Sequence, residues 1–119
     1  HIGLTAHSTA VFERALELDW VETIMFPYNI VERQGEELIH KCREKNIGFI
    51  DMKPLAGGAI EDGRLALRFV CANPDVTVVI PGMYDVSEIE KNMEAVDRRR
   101  TGGDGTGPQT ARHKFLPPL

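Results

Sequence analysis

The sequence predicts an α/β fold: four βα units resembling the second half of a (β/α)8 TIM barrel, followed by a disordered C-terminal tail. Three observations predict it. Short apolar, β-favouring runs at Ile2–Thr5, Val21–Tyr28, Gly48–Lys53 and Thr77–Ile80 alternate with stretches whose apolar residues recur at helical spacing. The units repeat about every 25 residues, which implies parallel strands with right-handed crossovers, and four of them make half of an eight-unit barrel. The periodicity then stops at Arg98, and residues 98–119 hold four glycines and three prolines. The chain thus divides into a partial barrel domain, residues 1–97, and a tail, residues 98–119.

Taken in order, the first strand is interrupted by Gly3. Ser8 or Thr9 offers an N-cap for a helix to about Leu18, with Val11, Ala15 and Leu18 on one face. The second strand, VETIMFPY, is stopped by Pro27 and Asn29. Glu36–Lys45 reads as a helix with acids in its first turn and bases toward its end, the order that complements the helix dipole. Leu38, Ile39 and Cys42 form its stripe. Gly48 lets the third strand pass close to a neighbour. Arg64–Ala72 predicts a third helix with Leu65, Phe69 and Ala72 on one face, ended by Asn73-Pro74. The run TVVI reads as a strand buried on both faces. Asp85-x-x-Glu88 is a capping box opening a fourth helix striped by Ile89, Met93 and Val96.

The 119 residues, 42% hydrophobic and 27% charged, suit one small globular domain. A net charge of −4 argues against nucleic acid or an anionic membrane as partner. Cys42 and Cys71 lie in helical stretches without CxxC or a His cluster, so they read as buried reduced thiols and place the protein in the cytoplasm. No apolar run is long enough to span a bilayer, and no signal peptide opens the chain. The chain begins at His1, inside its first core element, and so reads as a piece of a longer protein.

The stretch IGFIDMKPLAGG, Ile47–Gly58, carries the strongest functional signal. A strand runs into Lys53-Pro54, where ladder pairing ends, and then into Leu55-Ala56-Gly57-Gly58. Ligands of α/β proteins bind in loops at the carboxyl ends of strands. Adjacent glycines let backbone N–H groups approach a phosphate. Read alone, Gly-Gly is also an ordinary strand-to-helix turn.

Three segments together resemble the aldo/keto reductase family: GLTAHS (Gly3–Ser8), FPYN with MKPLAGG (Phe26–Asn29, Met52–Gly58), and VIPGMYDVSEIEKN (Val79–Asn92). The resemblance covers residue 1 to about residue 96 and corresponds to the second half of the barrel. The KPLAGG and IPGM wording is similar to the bacterial and archaeal branch that often carries a ferredoxin-like extension. The tail here has no cysteine, so no iron–sulfur cluster is expected. The resemblance implies an oxidoreductase using NADP or NAD on a small carbonyl substrate.

Position by position, the resemblance implies a cofactor site. Thr5 stands where the family usually places a Ser on the nicotinamide carboxamide, and Ala6 or His7 lies near a usual Asn. Met25 replaces a common Gln, and Met52 an aromatic that stacks on the nicotinamide. Lys53, Leu55 and Gly57 would line the pyrophosphate loop. Gly82 and Met83 replace a Lys-Ser pair at the adenosine 2′-phosphate. Glu88 replaces an Arg at that phosphate, and Asn92 matches a residue that contacts adenine. A carboxylate beside a 2′-phosphate is repulsive, which leaves NADH, or loose selectivity between NADH and NADPH, as the expectation. No segment resembles those bearing the family's catalytic Asp, Tyr, Lys and His, so no catalytic residue is assigned.

Blander readings stand beside these. Met25 and Met52 suit a core or pocket wall, His7 a turn, and Asp51 a surface pair with Lys53 worth little. The basic residues of the tail suit a solvated segment. Two other functions remain open: a non-catalytic half-barrel binding or assembly module, and an unrelated TIM-barrel phosphate-binding protein. Asn92 and IPGM favour the reductase pattern over the latter. The two open edges of a half-barrel imply self-association.

Overall fold

A computed structural model describes residues 1–97; the tail expected at 98–119 lies outside the described residues. Four strands, β1 (Gly3–Thr5), β2 (Thr23–Pro27), β3 (Gly48–Met52) and β4 (Val78–Ile80), pair in sequence order, every pair parallel. Four helices connect or follow them: α1 (Thr9–Ala15), α2 (Glu36–Glu44), α3 (Gly63–Ala72) and α4 (Val86–Val96). A single 3-10 turn at Ala56–Gly58 precedes α3.

Alternation along the strands divides the sheet into two faces. Leu4, Ile24, Phe26, Phe49, Asp51 and Val79 point to the helices, where the hydrophobic core lies. Phe12 of α1 packs against Phe26 and Phe49, with ring centroids 5.0 and 6.0 Å away. On the other face, Thr23 sits between Gly3 and Gly48. A Cβ on Gly3 would lie 2.2 Å from Thr23 Oγ1, and one on Gly48 3.3 Å from Thr23 Cγ2. The close approach expected at Gly48 is therefore real, and the one at Gly3 is tighter.

The α2 stripe of Leu38, Ile39 and Cys42 is buried as expected. Other faces differ. On α1, Val11 is exposed and Phe12 is buried instead, because Phe12 completes the aromatic cluster; the helix ends at Ala15, before Leu18. The Ser8 side chain makes no cap bond. On α3 the buried residues are Ala66, Leu67 and Val70, and Leu65 is exposed. The missed signal was Asp62, whose side chain accepts the Leu65 amide and starts the helix one residue early. β4 is an edge strand, not one buried on both faces: Val78 and Ile80 are 45% and 43% exposed. On α4, Ala95 is buried while Ile89, Met93 and Val96 are exposed. Arg68 Nε of α3 donates to the Ala95 carbonyl at 3.4 Å.

Asp51 is not in a surface pair. It is fully buried beneath the helices, a position fixed by the β3 alternation that also buries Phe49. Cys42 is buried, and burial pushes its thiol up to about 12; Cys71 is half-buried, and no disulfide joins the two. Among the described residues no helix is long and apolar enough to cross a membrane.

Candidate functional site

The candidate residues gather at the carboxyl ends of the parallel strands. Thr5 pairs with Met25 in the register row that continues through Ile50 to Val78; Met52 lies in the next row, between Pro27 and Ile80. Thr5, Met25 and Met52 therefore share the face opposite the helical core. Both methionines are half-buried, and Thr5 is exposed. His7 is exposed, two residues beyond β1.

The loop after β3 is held in an uncommon shape. Lys53, Ala56, Gly57 and Gly58 have φ of 57°, 50°, 66° and 91°. Glycine adopts such angles without a Cβ penalty, whereas Lys53 and Ala56 need support from their surroundings. The support comes from buried Asn29, which the sequence marks only as the end of the second strand and of FPYN. Its Nδ2 donates to the Lys53 carbonyl at 3.0 Å and to Glu32 Oε2 at 2.7 Å. Its Oδ1 accepts the Val31 and Glu32 amides. The Ala56 amide also donates to the Lys53 carbonyl, at 2.9 Å. Asn29 thus ties the loops after β2 and β3 together. An Asn directly after a strand is the available signal, because its side chain caps backbone locally.

A Cβ placed on Gly57, Gly58 or Gly82 would meet nothing within 4 Å, so this backbone borders open space. Lys53 is exposed and has no ion-pair partner among the described residues. Leu55 is half-buried beside the loop. Beyond β4, Gly82 is exposed and Met83 is 44% exposed. Asn92 and Glu88 lie one helical turn apart on α4, both half-buried.

Asp85 caps α4 by accepting the Glu88 amide at 3.0 Å, as the capping box predicted. The return bond differs: Glu88 Oε2 accepts the Tyr84 amide at 2.6 Å. The Ser87 hydroxyl, then the Glu88 amide, hold the Asp85 carboxyl below its usual range.

A separate cleft of about 380 Å3 lies between α2 and α3, lined by Tyr28, Glu36, His40, Phe69, Asn73 and Asp75 among others. It contains none of the candidate residues. The Tyr28 hydroxyl lies there, donating to Glu36 Oε1 at 3.3 Å and accepting from Asn73 Nδ2 at 3.4 Å. Tyr84 is fully exposed.

Four parallel βα units in this order make a part of a (β/α) barrel. Residues 1–64 match the sequence profile of the aldo/keto reductase family, and the chain belongs to that family. It is 27% identical over 111 residues to an uncharacterized oxidoreductase of Schizosaccharomyces pombe, a match covering 80% of this chain and 36% of that protein. Among solved structures it is similar to the holo form of the aldo-keto reductase AKR11C1 from Bacillus halodurans, at 20% identity and TM-score 0.69. That match covers 80% of this chain and 43% of the other. A second similar structure is the thermostable aldo-keto reductase Tm1743 with the inhibitor epalrestat, at 18% identity and TM-score 0.66, with coverage of 80% and 42%. The structural matches agree on the barrel fold, and the chain spans less than half the length of each of these proteins.

Proposed function

We propose that this chain supplies the dinucleotide-binding half of an NAD(P)H-dependent carbonyl oxidoreductase, without the groups that protonate the product. The observation that carries the reading is the Lys53–Gly58 loop. It stands at the carboxyl end of β3 with four positive φ angles, a lysine at its start and open space over Gly57 and Gly58. The Ala56 and Gly58 amides are bonded to the Lys53 and Leu55 carbonyls, so an anion would approach the open side of Gly57 and Gly58, beside the Lys53 side chain. A pyrophosphate therefore fits the residues present. Lys53 would neutralise its charge, Gly57 would let the backbone approach it, and Leu55 would wall one side.

A nicotinamide held here would supply a hydride to a carbonyl carbon. Around it, the Thr5 hydroxyl would bond the carboxamide, the Met25 and Met52 thioethers would pack against the ring, and His7 would border the same end. Gly82 and Met83 would flank the adenosine ribose, and Asn92 would bond adenine. Glu88 would repel a 2′-phosphate, so the reading favours NADH over NADPH. The proton for the developing alkoxide must come from an acid outside these residues. Tyr28 is unsuited because its hydroxyl is engaged by Glu36 and Asn73. The working unit is residues 1–97, in the cytoplasm, where both thiols stay reduced.

The test is equilibrium binding of NADH and NADPH to the 119-residue chain. NADH should bind, and Gly57→Val should weaken it by about tenfold or more, because valine is strained at φ 66°. The chain alone should oxidise neither cofactor with simple aldehydes above a no-protein control. Equal binding by Gly57→Val, or aldehyde turnover, would count against this assignment.

A further inference from the structure

We propose that Asn29 is a positioning residue of the dinucleotide site: through one hydrogen bond to the Lys53 carbonyl it sets the shape that the Lys53–Gly58 loop presents to an anion. The proposal rests on the dinucleotide reading of that loop. Asn29 is 0% exposed, so it touches no ligand and acts only through the residues it holds.

The Asn29 side chain has no spare bonding capacity. Its Nδ2 hydrogens go to Glu32 Oε2 at 2.7 Å and to the Lys53 carbonyl at 3.0 Å. Its Oδ1 accepts the Val31 and Glu32 amides at 3.0 and 2.9 Å. A side-chain amide offers two donors and two acceptor positions, and all four are used. Three of these bonds stay within the turn after β2. The fourth leaves it and crosses 24 residues of sequence to reach Lys53. The base of the turn is fixed as well, because the Tyr28 amide donates to Asp51 Oδ1 at 2.9 Å and to the Met52 carbonyl at 3.3 Å. Asn29 is therefore a rigid donor anchored on β3.

At the receiving end, Lys53 and Ala56 have φ of 57° and 50°, and neither is glycine. Such angles persist in other residues only where the surroundings over-determine them. Pro54 is buried and has no N–H, so the Lys53–Pro54 peptide offers only its carbonyl for hydrogen bonding. That oxygen accepts from Asn29 and from the Ala56 amide, and the Gly58 amide then closes on the Leu55 carbonyl at 2.9 Å. The direction of one carbonyl thus sets the turn that leaves Gly57 and Gly58 facing open space, beside the exposed Lys53 side chain. A glycine at this position would need no clamp; a lysine brings a cation and needs one.

The experiment uses Asn29→Asp in the full 119-residue chain. The change is nearly isosteric and keeps the Oδ1 bonds, but it turns both donated bonds into repulsions, against the Lys53 carbonyl and the Glu32 carboxylate. Hydrogen exchange at the Ala56 and Gly58 amides should quicken, and NADH binding should weaken, each at least about tenfold. Adding Glu32→Gln supplies a donor to the new carboxylate within the turn and leaves the Lys53 carbonyl repelled. The urea midpoint should then move back toward the parent while NADH affinity stays low. Affinity that returns with the midpoint would reduce Asn29 to a structural role and overturn the proposal. Where Asn29→Asp does not fold, Asn29→Ser serves: its hydroxyl still accepts amides of the turn and is too short to reach Lys53, and the same exchange and affinity changes are expected. Unchanged exchange at Ala56 and Gly58, or faster exchange with unchanged NADH binding, would also overturn the proposal. A parent chain that binds no NADH, with those amides still freed in the variant, would uphold the clamp and refute the dinucleotide reading instead.

Discussion

Asp51 accepts the backbone amide of Tyr28 through Oδ1 at 2.9 Å, while its Oδ2 is buried with no hydrogen-bond partner among the described residues. Burial pushes the carboxyl up to about 8, against the smaller opposing pull of the Tyr28 amide. The fold therefore holds the acid protonated at pH values where the unfolded chain ionises it. Between its ordinary value near 4 and about 8, the native state binds more protons, so stability falls as pH rises through that window. Asp51→Asn keeps an acceptor for Tyr28 and removes the buried charge. It should raise unfolding free energy at pH 8 by about 1–3 kcal/mol and change it little at pH 4, as read by urea denaturation. An equal shift at both pH values would contradict the protonation account.

His40 has the same sign of pH dependence, but here the protonated form gains a partner and stabilises the fold. Its Nδ1 lies 2.8 Å from Asp75 Oδ2, and that hydrogen bond, then the Asp75 charge, raises its pKa. Glu44 adds to the rise and Arg43, which also pairs with Asp75, opposes it. A raised histidine stabilises fully below its unfolded value, and the contribution fades as pH climbs through the folded one. His40→Gln should lower the urea midpoint near pH 5.5 and converge with the parent in alkaline solution, once the folded histidine has lost its proton. A midpoint difference that grows with pH would exclude this pairing as the cause.

Gly3 and Thr23 make the third case. A Cβ on Gly3 would meet Thr23 Oγ1 at 2.2 Å. Gly3→Ala should therefore destabilise by about 1–3 kcal/mol, despite the small gain alanine brings by restricting the unfolded chain. Thr23→Ala removes the clashing oxygen, so the double variant should recover most of the loss. Additive single effects in that cycle would show that β1 shifts rather than clashes.

The fold was legible because strand and helix periods alternate cleanly, and the βα order then leaves one topology, the parallel sheet seen here. Helix faces were less legible. Phe12, not Val11, turns inward because an aromatic cluster with Phe26 and Phe49 outweighs simple spacing. The α4 stripe faces out because burial is settled by what lies next to a helix, and β4 is an edge. The glycine loop was visible from its composition. The Asn29 clamp and the positive φ of Lys53 were not, because they arise from a contact across 24 residues. Asp51 misled because charge argues for the surface while strand alternation puts it inside.

The last prediction concerns cofactor choice. Glu88 stands in the first turn of α4, and its carboxylate accepts the Tyr84 amide at 2.6 Å. If this helix meets the adenosine ribose, as proposed, the carboxylate repels a 2′-phosphate. Glu88→Arg would replace it with a bidentate donor. A charge-assisted contact of this kind is worth about 1.5–3 kcal/mol, so the NADPH/NADH binding ratio should rise by roughly tenfold or more. The same substitution forfeits the bond to Tyr84, an exposed cap-like contact, and should cost on the order of 1 kcal/mol of stability. The two effects separate experimentally. Loss of the cap lowers the melting temperature and leaves the ratio alone, and Glu88→Gln, which keeps an acceptor for Tyr84, should shift the ratio with a smaller stability change. Isothermal titration with both cofactors reads the ratio, and thermal unfolding reads the cap. A ratio within about twofold of the parent for Glu88→Arg would remove Glu88 from the 2′ position, leaving only its role in holding the Pro81–Tyr84 turn against α4.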